Sequence, residues 1–215
     1  QIPTAGGRAV LCDCGANAEC TPEYLLQFAY LGSYYAQRVM GIEKPRVGLL
    51  NIGAEEEKGD TLRHETFALL TKAHQEGRIN FIGNIEANDV MLGGADVVVA
   101  DGFTGNVMLK TVEGTAKFLM KELKGVFMTS TKTKLAAAMV KGDLGTLKRK
   151  ADPGEVGGTP FLGISRPVIK AHGGSDATAI KNAVLRAKEY AESGFIQEIE
   201  ANIDHMRVRP QAEKI

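Results

Sequence analysis

The sequence predicts an α/β fold: a mostly parallel sheet flanked by helices. Three observations lead there. Short runs rich in valine and leucine alternate with longer helical patterns along the 215 residues. The apolar runs lack polar alternation, as strands buried on both faces of a parallel sheet do. The stretch from Ala95 to Gly114 (ADVVVADGFTGNVMLKTVEG) joins such a run to a helical pattern through a glycine turn. That is the ligand corner of an open α/β sheet, where the strand's carboxyl end and the helix's free N–H groups face one crevice.

The elements follow in order. Ala9 to Cys14 reads as a strand, with Gly15-Ala16-Asn17 as its turn. Pro22 suits the first position of a helix that runs to Gly41, a C-terminal glycine. Arg46 to Ile52 is the next strand, and a polar loop from Gly53 to Asp60 leads into a helix over Thr61 to Gln75. Ile79 to Ile82 is a strand ending at Gly83-Asn84-Ile85-Glu86. Asp96 to Ala100 is the valine-rich strand, Phe103-Thr104-Gly105-Asn106 its turn, and a long helix extends from about Asn106 to Val126. Helical pieces follow around Thr131–Lys141 and Leu144–Lys150, and Gly157-Gly158 and Pro160 break the pattern. Pro167 to Ala171 reads as a strand with His172-Gly173-Gly174-Ser175 as its turn. A helix from Asp176 to Ser193 closes at Gly194, and a last one spans Phe195 to Met206. The alternation predicts right-handed crossovers and one domain over 1–215, with 121–150 as a helical excursion.

Charge is balanced, 26 basic against 26 acidic residues, which gives no global pull toward nucleic acid. No apolar run approaches the length of a membrane span and no signal peptide is visible. The three cysteines are odd in number, and Cys12 and Cys14 lack C-x-x-C spacing. Buried free thiols in a reducing cytoplasm are expected. The chain begins at Gln1, which suggests a piece of a longer protein. The sequence carries no P-loop, dinucleotide glycine fingerprint, catalytic-triad motif or metal-ligand spacing, so neither a cofactor nor a metal is expected.

The candidate chemistry lies at the strand ends. Asp13 to Asn17, Asn51 to Gly53, Gly83 to Glu86, Asp101 to Asn106 and His172 to Ser175 are small or polar turns. Glycine lets backbone amides approach a ligand, while Asn and Thr add neutral hydrogen bonds. Such groups suit an anion and a carbonyl. His172-Gly173-Gly174-Ser175 before a helix is an anion-binding design, with Ser175 as cap or contact. Lys58 follows three glutamates. Their charge favours the protonated amine, so Lys58 suits anion binding or oxyanion stabilisation better than base catalysis.

The segment 121–150 holds eight basic and two acidic side chains. Interleaved with them are Phe127, Met128, Leu135, Met139, Val140, Leu144 and Leu147. That mixture suits contact with an anionic bilayer or an acidic protein, and equally a dimer-packing hairpin with solvated lysines. The two readings are compatible.

In LLQFAYLGSYYAQRVMGIEKPRVGLLNIGAEEEKGD, INFIGNIEANDV, ADVVVADGFTGNVMLKTVEG and GGTPFLGISRPVIKAHGGSDATAI the chain resembles the phosphate acyltransferase (PlsX) family of bacterial phospholipid synthesis. The motifs occur in matching order along nearly the whole chain. The resemblance implies transfer of a fatty acyl group from acyl carrier protein to inorganic phosphate, giving acyl phosphate. It also implies a fold like that of phosphotransacetylases and isocitrate dehydrogenases, a homodimer, and a cytoplasmic location with peripheral membrane association. Two departures stand out. The family's N-terminal segment, with its Gly-Gly-Asp loop, has no counterpart here, and Cys12 and Cys14 stand in a strand that usually reads LLDVGAN.

Phosphate is already a nucleophile near neutral pH and a thiolate is a good leaving group, so such an enzyme needs positioning and oxyanion stabilisation more than acid–base power. His172, Gly173, Gly174 and Ser175 are expected to hold phosphate. Lys58 and Asn106 are expected to stabilise the reacting carbonyl or phosphate, with His172 beside them as a catalytic group. Asn17, Asn51, Asn84, Glu86, Asp101, Thr104 and Gly105 are expected to line the crevice. Two other readings fit the same residues. One is a phosphotransacetylase-like enzyme that uses acyl-coenzyme A; the other is a non-catalytic fragment that binds a membrane or a partner.

Overall fold

The structure is a computed structural model, and it describes residues 1–151, 158–171 and 173–206. His172 therefore lies outside the described residues, as does Gly157.

The described elements are β1 (Ile2–Thr4), β2 (Gly7–Cys12), α1 (Pro22–Arg38), β3 (Arg46–Leu50), α2 (Thr61–Gln75), β4 (Asn80–Ile85), α3 (Ala87–Met91) and β5 (Val97–Val99). There follow α4 (Gly102–Met128), α5 (Thr131–Met139), α6 (Lys141–Ala151), β6 (Thr159–Pro160), β7 (Ile169–Lys170), α7 (Ala177–Glu192) and α8 (Phe195–Met206). The main sheet has the order β1-β2-β5-β3-β4. Pairings β2–β5, β5–β3 and β3–β4 are parallel, and β1 alone runs antiparallel, against β2. The expected α/β fold with a mostly parallel sheet is therefore present.

The first two helices begin where a polar cap meets an apolar face. Thr21 caps α1 by accepting from the Tyr24 N–H, with Pro22 at its start. Asp60 caps α2 by accepting from the Arg63 N–H at 3.0 Å. On one face of the sheet, α1 and α2 bury Leu25, Ala29, Leu70 and Ala73 against Val47, Leu49, Val97 and Val99. There α8 adds Phe195, whose ring sits 5.8 Å from Tyr35 and 5.2 Å from Tyr190. The other face has a smaller core: Ile2, Leu11, Leu50, Ile85, Val90, Val98 and Met108. Among the described residues, β1, α3 and the first turns of α4 contribute to it.

Five expectations need correction. Gly83-Asn84-Ile85 is not a turn but the last part of β4, whose Asn84 and Ile85 pair with Leu49 and Leu50. The hairpin strand β1 was not anticipated; three residues with a central proline give too little pattern to read. Phe103-Thr104-Gly105-Asn106 is not a turn but the first turn of α4. Asp101 caps that helix directly after β5, so the chain enters it without a loop. The first strand ends at Cys12 rather than Cys14: the Asp13 N–H still donates to the Ala100 carbonyl at 2.8 Å, but the amides from Cys14 to Asn17 bond to the Asp13 carboxylate instead of to a neighbouring strand. Finally, the strand expected over Pro167 to Ala171 is only Ile169–Lys170, and it pairs antiparallel with Thr159–Pro160 outside the main sheet. Pro167 has no N–H for a ladder. Gly158, at φ +90°, turns so tightly that a Cβ there would lie 2.8 Å from the Lys170 carbonyl oxygen. The segment therefore closes on its own upstream arm.

From Val112 onward α4 has no fully buried residue, and α5 has none at all. Phe118, Val126, Leu135 and Met139 are exposed there, Met139 at 82%. Among the described residues no helix is long and apolar enough to cross a membrane.

Candidate active site

The carboxyl ends of β2, β5 and β3 lie side by side, and the structure gathers most of the predicted residues there in two connected groups. The first surrounds Asp101, which is 5% exposed. Its carboxylate accepts from the Thr104 N–H and hydroxyl, each at 2.8 Å, and pairs with Arg63. Burial alone would raise the Asp101 carboxyl, but the Thr104 hydrogen bonds and the Arg63 charge outweigh it and hold the pKa below the ordinary carboxylate value.

The α4 start is pressed against the β2 corner. The Gly102 N–H donates to the Asn17 carbonyl at 2.8 Å. A Cβ on Gly105 would stand 1.9 Å from the Asp13 carbonyl oxygen, so only glycine permits this approach. Asn106, exposed, lies over Gly15, its Oδ1 3.4 Å from where a Cβ of that glycine would be. Asn17, Asp101, Thr104, Gly105 and Asn106 are thus one corner.

The second group surrounds the 51–60 loop. Asn51 Nδ2 donates to the Lys58 carbonyl at 2.9 Å, and Asn84 Nδ2 to the Glu55 carbonyl at 2.8 Å. The Lys58 N–H donates to the same Glu55 carbonyl at 3.2 Å. The Lys58 stem folds against Gly53 and its side chain is exposed. Asn84 is 8% exposed, and its Oδ1 is buried without a hydrogen-bond partner. Glu86 is half-buried at the start of α3 and makes no side-chain cap bond.

Arg63, outside the sequence expectations, and Asp13, expected only as the start of a polar turn, hold this site together. Arg63 joins the two groups: its guanidinium pairs with Asp60 at 3.0 Å and with Asp101, and donates to Thr104 Oγ1 at 2.9 Å. The available signal was its place three residues after the Asp60 cap, but nothing local pointed to Asp101. Asp13 fills its own corner. Its carboxylate accepts from the backbone N–H groups of Cys14, Gly15, Ala16 and Asn17 and from Asn17 Nδ2. The β2 corner amides are therefore already satisfied, so an incoming anion would have to turn to the other corners.

Gly173 and Gly174 are exposed and Ser175 is half-buried, all between β7 and α7. Asp176, rather than Ser175, caps α7 by accepting from the Ala179 N–H at 2.8 Å. This turn leaves the small ribbon, not the parallel sheet. Lys170 of the ribbon still lies close enough to Cys14 for its charge to act on that thiol. The three cysteines are free and half-buried, and burial pushes their thiol pKa values up. That leaves them poor nucleophiles. No group of three metal-ligating side chains exists among the described residues.

An apolar cleft of about 1220 Å³ opens beside the Arg63 group. Asn51, Gly59, Asp60, Arg63 and Thr104 form its polar end.

A family model described as fatty acid synthesis protein matches residues 1–198. Among curated relatives, a protein of Oceanobacillus iheyensis named phosphate acyltransferase is 52% identical over 94% of this chain and 60% of its own length. One of Lysinibacillus sphaericus with the same name is 48% identical over 96% of this chain and 62% of its own. Another, of Staphylococcus aureus, is 47% identical over 94% of this chain and 61% of its own. The chain thus spans about 60% of the length of the curated relatives it matches.

Proposed function

Because the chain belongs to the family of fatty acid synthesis proteins, we propose that it is the greater part of a phosphate acyltransferase, which moves a fatty acyl group from acyl carrier protein to inorganic phosphate. The observation that carries the reading is the likeness, along 94% of the chain, to a protein named phosphate acyltransferase. The site supports it by its chemistry: neutral amides, a lysine and an arginine, and thiols too protonated to act as nucleophiles.

In the proposed reaction a phosphate oxygen attacks the thioester carbonyl carbon. The carbonyl becomes a tetrahedral oxyanion, which collapses as the carbon–sulfur bond breaks. The carrier's thiolate leaves and takes up the proton that the phosphate loses. The products are an acyl phosphate and the free carrier thiol. The exposed Lys58 amine and the Asn106 amide meet the developing charge, while His172, Gly173, Gly174 and Ser175 hold the phosphate. Asn17, Asn51, Asn84, Glu86, Asp101, Thr104 and Gly105 shape the crevice. Arg63, committed to two carboxylates, keeps the β3 and β5 corners in register.

The wider setting belongs to the same proposal. The protein works in the cytoplasm as a homodimer, its 1–215 portion one α/β unit. The 121–150 excursion, with Leu135 and Met139 exposed among lysines, touches anionic membrane where the product is consumed.

The test is direct. Incubation with acyl carrier protein thioester and phosphate should form acyl phosphate, trapped as a hydroxamate. A preference for acyl-coenzyme A would favour the phosphotransacetylase-like reading. Absence of product from either donor would overturn the assignment.

A further inference from the structure

The cleft beside Arg63 is lined mostly by apolar side chains. One wall is a stripe along α4 that includes Val107, Met108, Val112, Ala116 and Leu119. From Thr104 to Leu119 this stripe spans roughly 22 Å at about 1.5 Å of rise per residue. The opposite wall is Pro3, Thr4 and Ala5 of the β1 hairpin with Met91 of α3. Leu147 of α6 faces the far end. The only charged lining residues are Asp60 and Arg63, which pair with each other at the polar end. The hydroxyl of Thr111, midway, is spent on the Val107 carbonyl at 2.8 Å.

Resting on the acyltransferase reading, we infer that this cleft seats the fatty acyl chain, carbonyl end toward Arg63, Asn51 and Thr104, and that Ala116, Leu119 and Leu147 set the preferred chain length. The chemistry of the walls selects the occupant. A peptide would bring a donor and an acceptor with every residue, and away from the charged end the mostly apolar lining offers only Thr4, Asn88 and Thr115 to satisfy them. A linear hydrocarbon has no polar atom until its carbonyl, and the cleft has its charged groups only at one end, beside Asn51 and Thr104, with Thr4, Asn88, Thr111 and Thr115 as its other polar lining. The second face of the sheet carries the smaller core, and the side chains of the described residues leave this groove open. Val107, Leu119 and Leu147 remain at least half exposed. An acyl chain lying along them would cover that surface.

The experiment measures displacement of a fluorescent fatty acid from the protein by hexadecanoate and by octanoate. It needs neither phosphate nor thioester. Ala116→Phe blocks the far part of the groove, roughly 18 Å along α4 from Thr104. It should weaken hexadecanoate roughly tenfold or more, the scale on which an apolar pocket separates ligands by size, while octanoate binding stays within about twofold. Leu147→Ala, at an exposed position that does not support the core, opens the far end and should move the optimum to longer chains. If neither variant changes the ranking of the two acids, the cleft is not the acyl seat. Failure of the reading looks different. Length-dependent binding without formation of acyl phosphate sinks the acyltransferase and leaves the seat. Transfer with an unchanged chain-length profile in Ala116→Phe sinks the seat and leaves the acyltransferase.

Discussion

Arg63 and Asp101, 38 residues apart in the chain, form an ion pair whose side chains are only 12% and 8% exposed. It ties the start of α2 to the start of α4, and through them the β3 corner to the β5 corner. A pair this sheltered is costly to break on one side, because the surviving charge is left without its partner.

Arg63→Ala should therefore lower unfolding stability by on the order of 3 kcal/mol, read from urea titrations. The acid limb carries a second signature. The Asp101 pKa is lowered below its ordinary value of 3.8. A depressed carboxyl contributes stability above its unfolded pKa and loses it as pH falls through the folded one. The stability gap between wild type and Asp101→Asn should thus be full near neutrality and close as pH drops below 3.8. A gap that stays constant to the acid limit would show that the charge of Asp101 contributes nothing.

Gly105 carries the approach of α4 to the β2 corner. In Gly105→Ala the new methyl would meet the Asp13 carbonyl at 1.9 Å, and backbone rather than a flexible side chain must move. Destabilisation of about 3 kcal/mol is expected, toward the upper end of overpacking costs. Gly114→Ala, on the same helix with open space around it, should be neutral or slightly stabilising through helix propensity. Equal melting temperatures for the two variants would contradict the packing described.

Lys58 and Ser175 should separate in kinetics. Lys58 is exposed and its side chain supports no core. Lys58→Ala should cut turnover by about 3 kcal/mol of transition-state stabilisation and leave the unfolding curve unchanged. Ser175→Ala and His172→Ala should raise the phosphate KM more than the thioester KM, because both flank the amides before α7. Wild-type turnover in folded Lys58→Ala removes that residue from the site, and an unchanged phosphate KM in both other variants removes the turn.

Leu135 and Met139 stand 66% and 82% exposed on α5, a helix with no buried face. Binding to anionic vesicles should weaken with salt, since each nearby basic residue contributes roughly 1 kcal/mol of screened attraction. It should not vanish, because apolar insertion resists salt. Leu135→Glu with Met139→Glu should release the protein from vesicles and keep activity toward dispersed substrate. Continued co-sedimentation would show that these positions do not anchor it, and a monomeric, inactive variant would assign the helix to a dimer interface instead.

The α/β class, the helices α1, α2 and α4 with the strands between them, and the polar strand ends were legible in the residues because each is a local pattern, whereas the five-residue α3 was too short to read. A valine run at Val97–Val99, a threonine or aspartate cap and a 3.6-residue apolar stripe all act within one turn or one strand. The family resemblance was legible for the same reason, its motifs being contiguous. What lay beyond reach depended on residues far apart in the chain. Arg63 gave no sign of its role until α2 set its guanidinium against Asp101. The amides at Gly15 and Ala16 looked open until Asp13 curled back to fill them. Pro167 to Ala171 read as another parallel strand, yet the turn at Gly158 closed it into a separate ribbon. Gly105 read as a turn residue, whereas it stands in the first turn of α4 and leaves room for the Asp13 carbonyl. In each case the deciding quantity was a distance between segments, and periodicity along a chain carries no measure of that.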